Sequence, residues 1–367
     1  MELEPINPMI IVGCAFLIGA LFGYAGNKSD FCTMGAISDV VNMGDWTRMR
    51  MWFAAIGMAI VGVALLQATG AVNFQNSLYA TARLPWLSHI VGGVAFGVGM
   101  TLASGCTSKT LIRLGGGNLK SIVVFVVLAI SAYMTLKGLF GVWRVAYLDP
   151  IATELSTSQL LPQVLAGQWG LSGVQVWLPL LIGTGFLAFG LWSAESRVSV
   201  ALQGGLGTGV LVVLGWYLTG HVAHIAEHPE TLEAAYVATT GNRPESLSLV
   251  APYAYTVELL MFWSDASRHV TFGIAVALGI VTGSFVYAIS HNSFREESFP
   301  NAADLKRHLV GAVLMGFGGI TALGCTIGQG LTGVSTLSIG AFITLVSIIA
   351  GAAITMKIDY WRLMREA

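Results

Sequence analysis

Two stretches of this chain repeat each other, and both break at the same tripeptide. When the sequence is slid against itself by 219 residues, His89 falls on His308, Gly92 on Gly311, Gly97 on Gly316, Gly99 on Gly318 and Cys106 on Cys325. Residues 89–107 and 308–326 agree at ten of nineteen positions and end in Gly105-Cys106-Thr107 and Gly324-Cys325-Thr326. Apolar segments interrupted at a matching point in two copies are the mark of discontinuous membrane helices whose breaks face a site near the bilayer midplane.

The rest of the chain fits that environment. Of its 367 residues 55% are hydrophobic and only 10% charged, where a soluble domain carries about 25% charged residues. The fold class is therefore all-α integral membrane protein. A net charge of −1 leaves no basis for electrostatic binding of nucleic acid. Glu2 and Glu4 stand where a secretion signal would be basic, so the stretch 9–24 reads as a retained span. Cys14, Cys32, Cys106 and Cys325 form no close pair, which argues against a disulfide framework, and no cofactor motif is read.

A bilayer-crossing helix needs about 20 mostly apolar residues. Nine segments qualify: 8–26, 50–70, 86–104, 119–138, 174–193, 199–219, 269–290, 307–323 and 338–356. The stretches 24–46, 105–118 and 324–338 are too apolar and glycine-rich for watery loops, and read as re-entrant turns ending in half-helices. Lys and Arg divide 13 against 5 between the two faces if the amino terminus lies outside and the carboxy terminus in the cytoplasm. The two cysteine-bearing copies then cross in opposite directions. The expected organisation is a repeat half at 1–140, outer loops with two linking spans at 141–268, and a second repeat half at 269–367. The outer loops are 139–173 and 220–268. A weaker second repeat, setting Tyr24-Ala25 on Tyr287-Ala288 and Phe31-Cys32 on Phe294-Arg295, supports the inverted pattern.

Each Gly-Cys turn is expected to cap a short helix whose free N–H groups favour an anion. Thr107, Ser108 and Thr326 add hydroxyl donors, Gly105 and Gly324 permit close backbone approach, and Gln329 lies in the second half-helix. Lys109 and Arg295 are candidates both for the pathway and for the positive cytoplasmic face. A thiol is a soft, weak hydrogen-bond donor beside a hydroxyl, so cysteine at the breakpoints suits a solute presenting sulfur or selenium, or a soft metal. A membrane thiol-transferase is the enzymatic alternative. It needs a base beside its nucleophile, and Asp30 near Cys32 is the one candidate. Cys14, inside an ordinary span, reads as packing.

Three runs carry a resemblance: Lys28-Ser29-Asp30-Phe31-Cys32, the run Gly99-Met100-Thr101-Leu102-Ala103-Ser104-Gly105-Cys106, and the run from Gly324-Cys325-Thr326-Ile327-Gly328 through Gln329-Gly330-Leu331-Thr332-Gly333. With the nine-span layout, they make the chain resemble the YeeE/YedE family of prokaryotic sulfur-compound transporters. The resemblance implies an hourglass-shaped inner-membrane protein for thiosulfate uptake. It also implies three pathway cysteines, Cys32, Cys106 and Cys325, handing the anion along by S–H···S hydrogen bonds, and a TusA-like cytosolic sulfur carrier as partner. Some members are linked with selenium. Lys109 departs from the family pattern, which has a small residue there.

Overall fold

The computed structural model describes residues 7–169, 173–192, 200–227, 232–265 and 267–366. The end of the 174–193 span, the start of the 199–219 span, and parts of both outer loops (170–172, 228–231 and 266) lie outside the described residues.

The chain is helical. Long helices run over α1 (Pro8–Lys28), α3 (Thr47–Ala68), α4 (Trp86–Leu102), α6 (Leu119–Lys137), α9 (Val174–Leu191), α10 (Val200–Tyr217), α12 (Phe272–Ser290), α13 (Ala302–Thr321) and α14 (Ile339–Glu366). Short ones are α2 (Thr33–Ser38), α5 (Thr107–Gly115), α7 (Leu139–Trp143), α8 (Leu161–Trp169) and α11 (Val250–Met261). Eight helical stretches among the described residues are long and apolar enough to cross a bilayer. Segment 307–323 is not among them. It belongs to α13, which starts earlier, at Ala302, and carries Asp304, Lys306 and Arg307 in its first two turns. The last span is longer than the expected 338–356, because α14 runs on to Glu366.

Glycines set how these helices lie against each other. In lipid no hydrophobic force drives helices together, so close backbone approach at small residues carries the packing. A Cβ added to Gly92 would sit 2.7 Å from the carbonyl oxygen of Gly318, and one on Gly99 would sit 2.7 Å from that of Gly311. Gly92 and Gly311 are repeat equivalents, as are Gly99 and Gly318. Thus α4 and α13, the two copies, cross antiparallel, each pressing its own glycines on the other's. The pairs around them match: α4 runs parallel to α14 through Gly93 and Gly97, as α13 runs parallel to α6 through Gly316. Likewise α1 runs parallel to α12, and α10 to α3. The inverted relation expected from the span count is present in the helix directions.

Two expectations are corrected. Tyr24 and Tyr287 meet edge to face at 5.1 Å, on helices that run parallel. Their sequence match therefore joins two neighbours pointing the same way and is no part of the inverted pair. The stretch 220–268 is also more than an outer loop. Its α11 enters the core, with Leu249, Val250, Tyr253 and Ala254 fully buried. The apolar run was present in the sequence, but Pro252 and Glu258 interrupt it. Glu258 is buried near the end of α11, where Lys137 and Arg268 compensate its charge.

Candidate functional site

Four helices end in one and the same way. Asp30, Ser104, Asn292 and Leu323 adopt left-handed conformations with φ of 52°, 54°, 51° and 60°. The next amide then bonds back five residues, from Phe31 to Gly26, Gly105 to Met100, Ser293 to Ala288 and Gly324 to Gly319. This is the Schellman stop, normally built on glycine. A left-handed side-chain-bearing residue costs on the order of 1–3 kcal/mol and persists only where its surroundings dictate it. Leu323, a bulky residue, shows how firmly the turn is imposed.

In three of the four reversals the residue after the turn is a cysteine that caps the next helical piece. Cys32 Sγ accepts from the Gly35 amide at 3.4 Å and Cys325 Sγ from the Gly328 amide at 3.4 Å. Cys106 precedes α5, with its sulfur 3.2 Å from Ser108 Oγ. The half-helix expected after Cys325 is not a regular α-helix: Gly328–Gly333 forms a π-helical turn, a deformation frequent at functional sites. The fourth reversal, after α12, carries Phe294 and Arg295. Arg295 is exposed on the wall of a cavity that Cys32 also lines and that the buried Cys106 and Cys325 do not.

The two repeat turns meet. The Cys106 side chain lies within electrostatic range of the Cys32 thiol and of the Thr326 side chain, but the Thr326 hydroxyl makes no hydrogen bond. Cys106, Cys325, Thr107 and Thr326 are all completely buried. Two tyrosines that sequence reasoning missed brace the turns. Tyr253 donates to the Thr107 carbonyl at 2.7 Å, and Tyr79 donates to the Gly328 carbonyl at 2.6 Å. Gln329 turns back to donate from Nε2 to the Ala322 carbonyl at 2.8 Å. The hydroxyls of Thr107 and Thr326 and the Oε1 of Gln329 have no protein partner. An unsatisfied buried hydroxyl costs about 1–3 kcal/mol, and two of these three are repeat equivalents. Orphaned polar atoms flanking buried thiols mark a place for a ligand.

Cavities approach this point from opposite ends. One, of about 740 Å³, has Cys32, Ala103, Ser104, Gly105 and Lys109 in its lining. The other, of about 370 Å³, reaches Gly319, Leu323 and Gly324. Ser104-Gly105 and Leu323-Gly324 are equivalents, so the same turn lines both cavities, once from each side. Neither cavity includes Cys106 or Cys325. Those two thiols sit in the closed waist between them.

The larger cavity is strongly charged. Asp30 pairs with both Lys109 and Arg48, and Arg48 also pairs with Asp39. Arg113, Lys120 and Arg295 line it too. Asp30 is thus held by cations and makes no hydrogen bond to the Cys32 thiol, which removes the base that a thiol-transferase would need. Cys14 lies half-buried on α1, outside both linings.

Inverted helix copies that meet head to head in a sealed waist, with a cavity at each end, define a membrane transporter and not an enzyme. The comparisons bear this out. A family model described as sulphur transport matches residues 28–354, and the chain belongs to that family. It is 29% identical over 376 residues to the thiosulfate transporter TsuA of Escherichia coli (strain K12), across 98% of this chain and 97% of that one. To the thiosulfate transporter TsuA of Spirochaeta thermophila it is 25% identical over 357 residues, across 93% and 97%.

Proposed function

We propose that the protein takes thiosulfate, or a closely related sulfur anion, across the prokaryotic inner membrane into the cytoplasm. The reading rests above all on one observation: Cys106 is closed in between Cys32 and the Cys325 turn, beside two hydroxyls with no partner. The relatives named for thiosulfate transport support the choice of solute.

In this reading the amino terminus is outside and the 370 Å³ cavity is the entrance. Its anion meets Cys325 first, then Cys106, then Cys32, and leaves through the charged 740 Å³ cavity. Each thiol donates S–H to the terminal sulfur of the anion and releases it to the next. Thr107 and Thr326 donate to its oxygens, as does the backbone made accessible at Gly105 and Gly324. Weak, successive contacts suit conduction, since a solute bound too well does not leave. Lys109 and Arg295 draw the anion onward into the cytoplasmic cavity, where a TusA-like sulfur carrier collects it.

The test is thiosulfate-dependent growth of an uptake-deficient bacterium expressing the chain. Cys106→Ala and Cys325→Ala are expected to abolish growth at unchanged protein level, while Cys14→Ala is silent. Cys106→Ser keeps a donor of another size and softness, and is expected to retain folding but transport poorly. Undiminished growth without Cys106 would overturn the relay. A selenium species or soft metal is the solute to try if the well-expressed parent fails to support growth even with a sulfur carrier supplied.

A further inference from the structure

The entrance cavity contains an acid that the transport reading does not use. Glu245 lines it together with Arg144, Arg243, Tyr79 and Tyr255. The carboxyl accepts a hydrogen bond from the Thr240 amide at 2.8 Å, and its own backbone is tied to Thr219 at both ends. No cation pairs with it among the described residues. Arg144 is engaged by Asp149 at 3.1 Å, whereas Arg243, exposed at the rim, has no counter-ion there. A carboxylate on the wall of a small anion entrance would repel the solute. Desolvation on the cavity wall, with no cation partner among the described residues, pushes the Glu245 pKa up to about 8, which favours the acid form, with an O–H to give, at neutral pH.

We propose that this cavity is a proton-linked capture site for a divalent oxyanion, in which the protonated Glu245 carboxyl donates to an anion oxygen and Arg243 supplies the fixed positive charge. Substrate class and direction rest on the transport reading above. Binding takes one proton from the outer solution whenever Glu245 is ionised beforehand, and the proton stays on Glu245 while the anion is bound. By linkage, whatever the proton does for the anion the anion does for the proton. The bound dianion disfavours the carboxylate and holds the proton more tightly. The other titratable or charged groups facing the site are Tyr79 and Tyr255, whose hydroxyls burial keeps neutral, and the two arginines, which stay charged throughout. Glu245 is then the group that sets the pH response.

The sign follows directly. Affinity is full below about 8, the Glu245 value, and falls as pH rises through it, approaching about tenfold per pH unit for one linked proton. Equilibrium binding of radiolabelled thiosulfate, and separately of sulfate, is measured on the purified full chain in detergent. The range is about pH 6 to 10, with the infrared band of a protonated carboxyl followed in parallel. The parent is expected to lose affinity above the Glu245 value, while Glu245→Gln, a permanently neutral donor, stays flat. Arg243→Gln should weaken binding at every pH without changing the slope. A purely structural Glu245 would leave the slope in Glu245→Gln, and that result, or a flat parent, overturns the proposal. Sulfate binding with the slope but no thiosulfate binding would sink the thiosulfate reading and leave the capture site standing. Binding of neither anion would overturn the capture site itself. A carboxyl band absent from the parent at neutral pH would do the same.

Discussion

Thr107 and Thr326 carry opposite consequences for stability and for transport. Each buries a hydroxyl that finds no protein partner. Thr→Val keeps the shape and removes the unsatisfied group, so the empty protein should gain up to about 1 kcal/mol of stability per site. The anion loses a donor worth about 1.5–3 kcal/mol when the acceptor is charged, which is about tenfold or more in affinity. A variant that melts higher in detergent yet takes up less thiosulfate is the expected result. One that melts lower would mean the hydroxyls are satisfied by the fold. The buried thiols at the turns were legible because a repeat placed two of them at equal positions, and spacing alone reveals that. Tyr253 and Tyr79 were not legible. Their roles depend on α11 and on the segment after α3 folding inward, and no local pattern announces which carbonyl a distant phenol will reach.

At the scale of the element, the glycines divide by what faces them. A Cβ on Gly99 would meet the Gly311 carbonyl oxygen and the Met315 amide nitrogen, each at 2.7 Å. Both are backbone atoms in a packed helix, so neither can step aside. Gly13 and Gly185 have nothing within 4 Å of an added Cβ. Gly99→Ala should therefore destabilise by about 1–3 kcal/mol through overpacking, with Gly311→Ala doing the same from the other copy. Gly13→Ala and Gly185→Ala should be neutral or slightly stabilising, because alanine costs less helix entropy by about 0.5–1 kcal/mol. Thermal unfolding of the four single variants separates the cases, and equal losses at Gly13 and Gly99 would refute the crossing. The glycine rhythm of α4 and α13 was visible in the sequence, as were the helix breaks after them. What was hidden is that the two copies press on each other. The parallel contact of α1 and α12 was likewise misread as a repeat, because like residues at like depth look alike whether helices are related by symmetry or merely adjacent. The π-helical turn at Gly328–Gly333 had no signal beyond its glycines, since backbone widening is decided by what must fit beside it.

For the whole molecule, the decisive property is that the two cavities do not join. Cys32 lines the larger cavity, while Cys106 and Cys325 line neither and have no exposed surface. The cations lining the larger cavity, Arg48, Lys109, Arg113, Lys120 and Arg295, belong to the group that the positive-inside rule assigns to the cytoplasm. Accessibility to a membrane-impermeant, positively charged thiol reagent should therefore differ among single-cysteine variants. Cys32 should label in inside-out vesicles and stay unlabelled in right-side-out ones. Cys106 should resist from either face in the absence of solute, because a reagent larger than the anion cannot pass turns closed by packed backbone. Labelling of Cys32 only from the outside would reverse the orientation, whereas ready labelling of Cys106 from both faces would mean an open pore. If thiosulfate slows the reaction of Cys32 without exposing Cys106, the anion crosses by small local shifts at the turns. If it exposes Cys106 to one face, the repeats rock against each other at the α4–α13 crossing. The glycine contacts there favour the first outcome. They press backbone directly on backbone at the crossing, which leaves the short capped pieces that follow each cysteine as the parts expected to move.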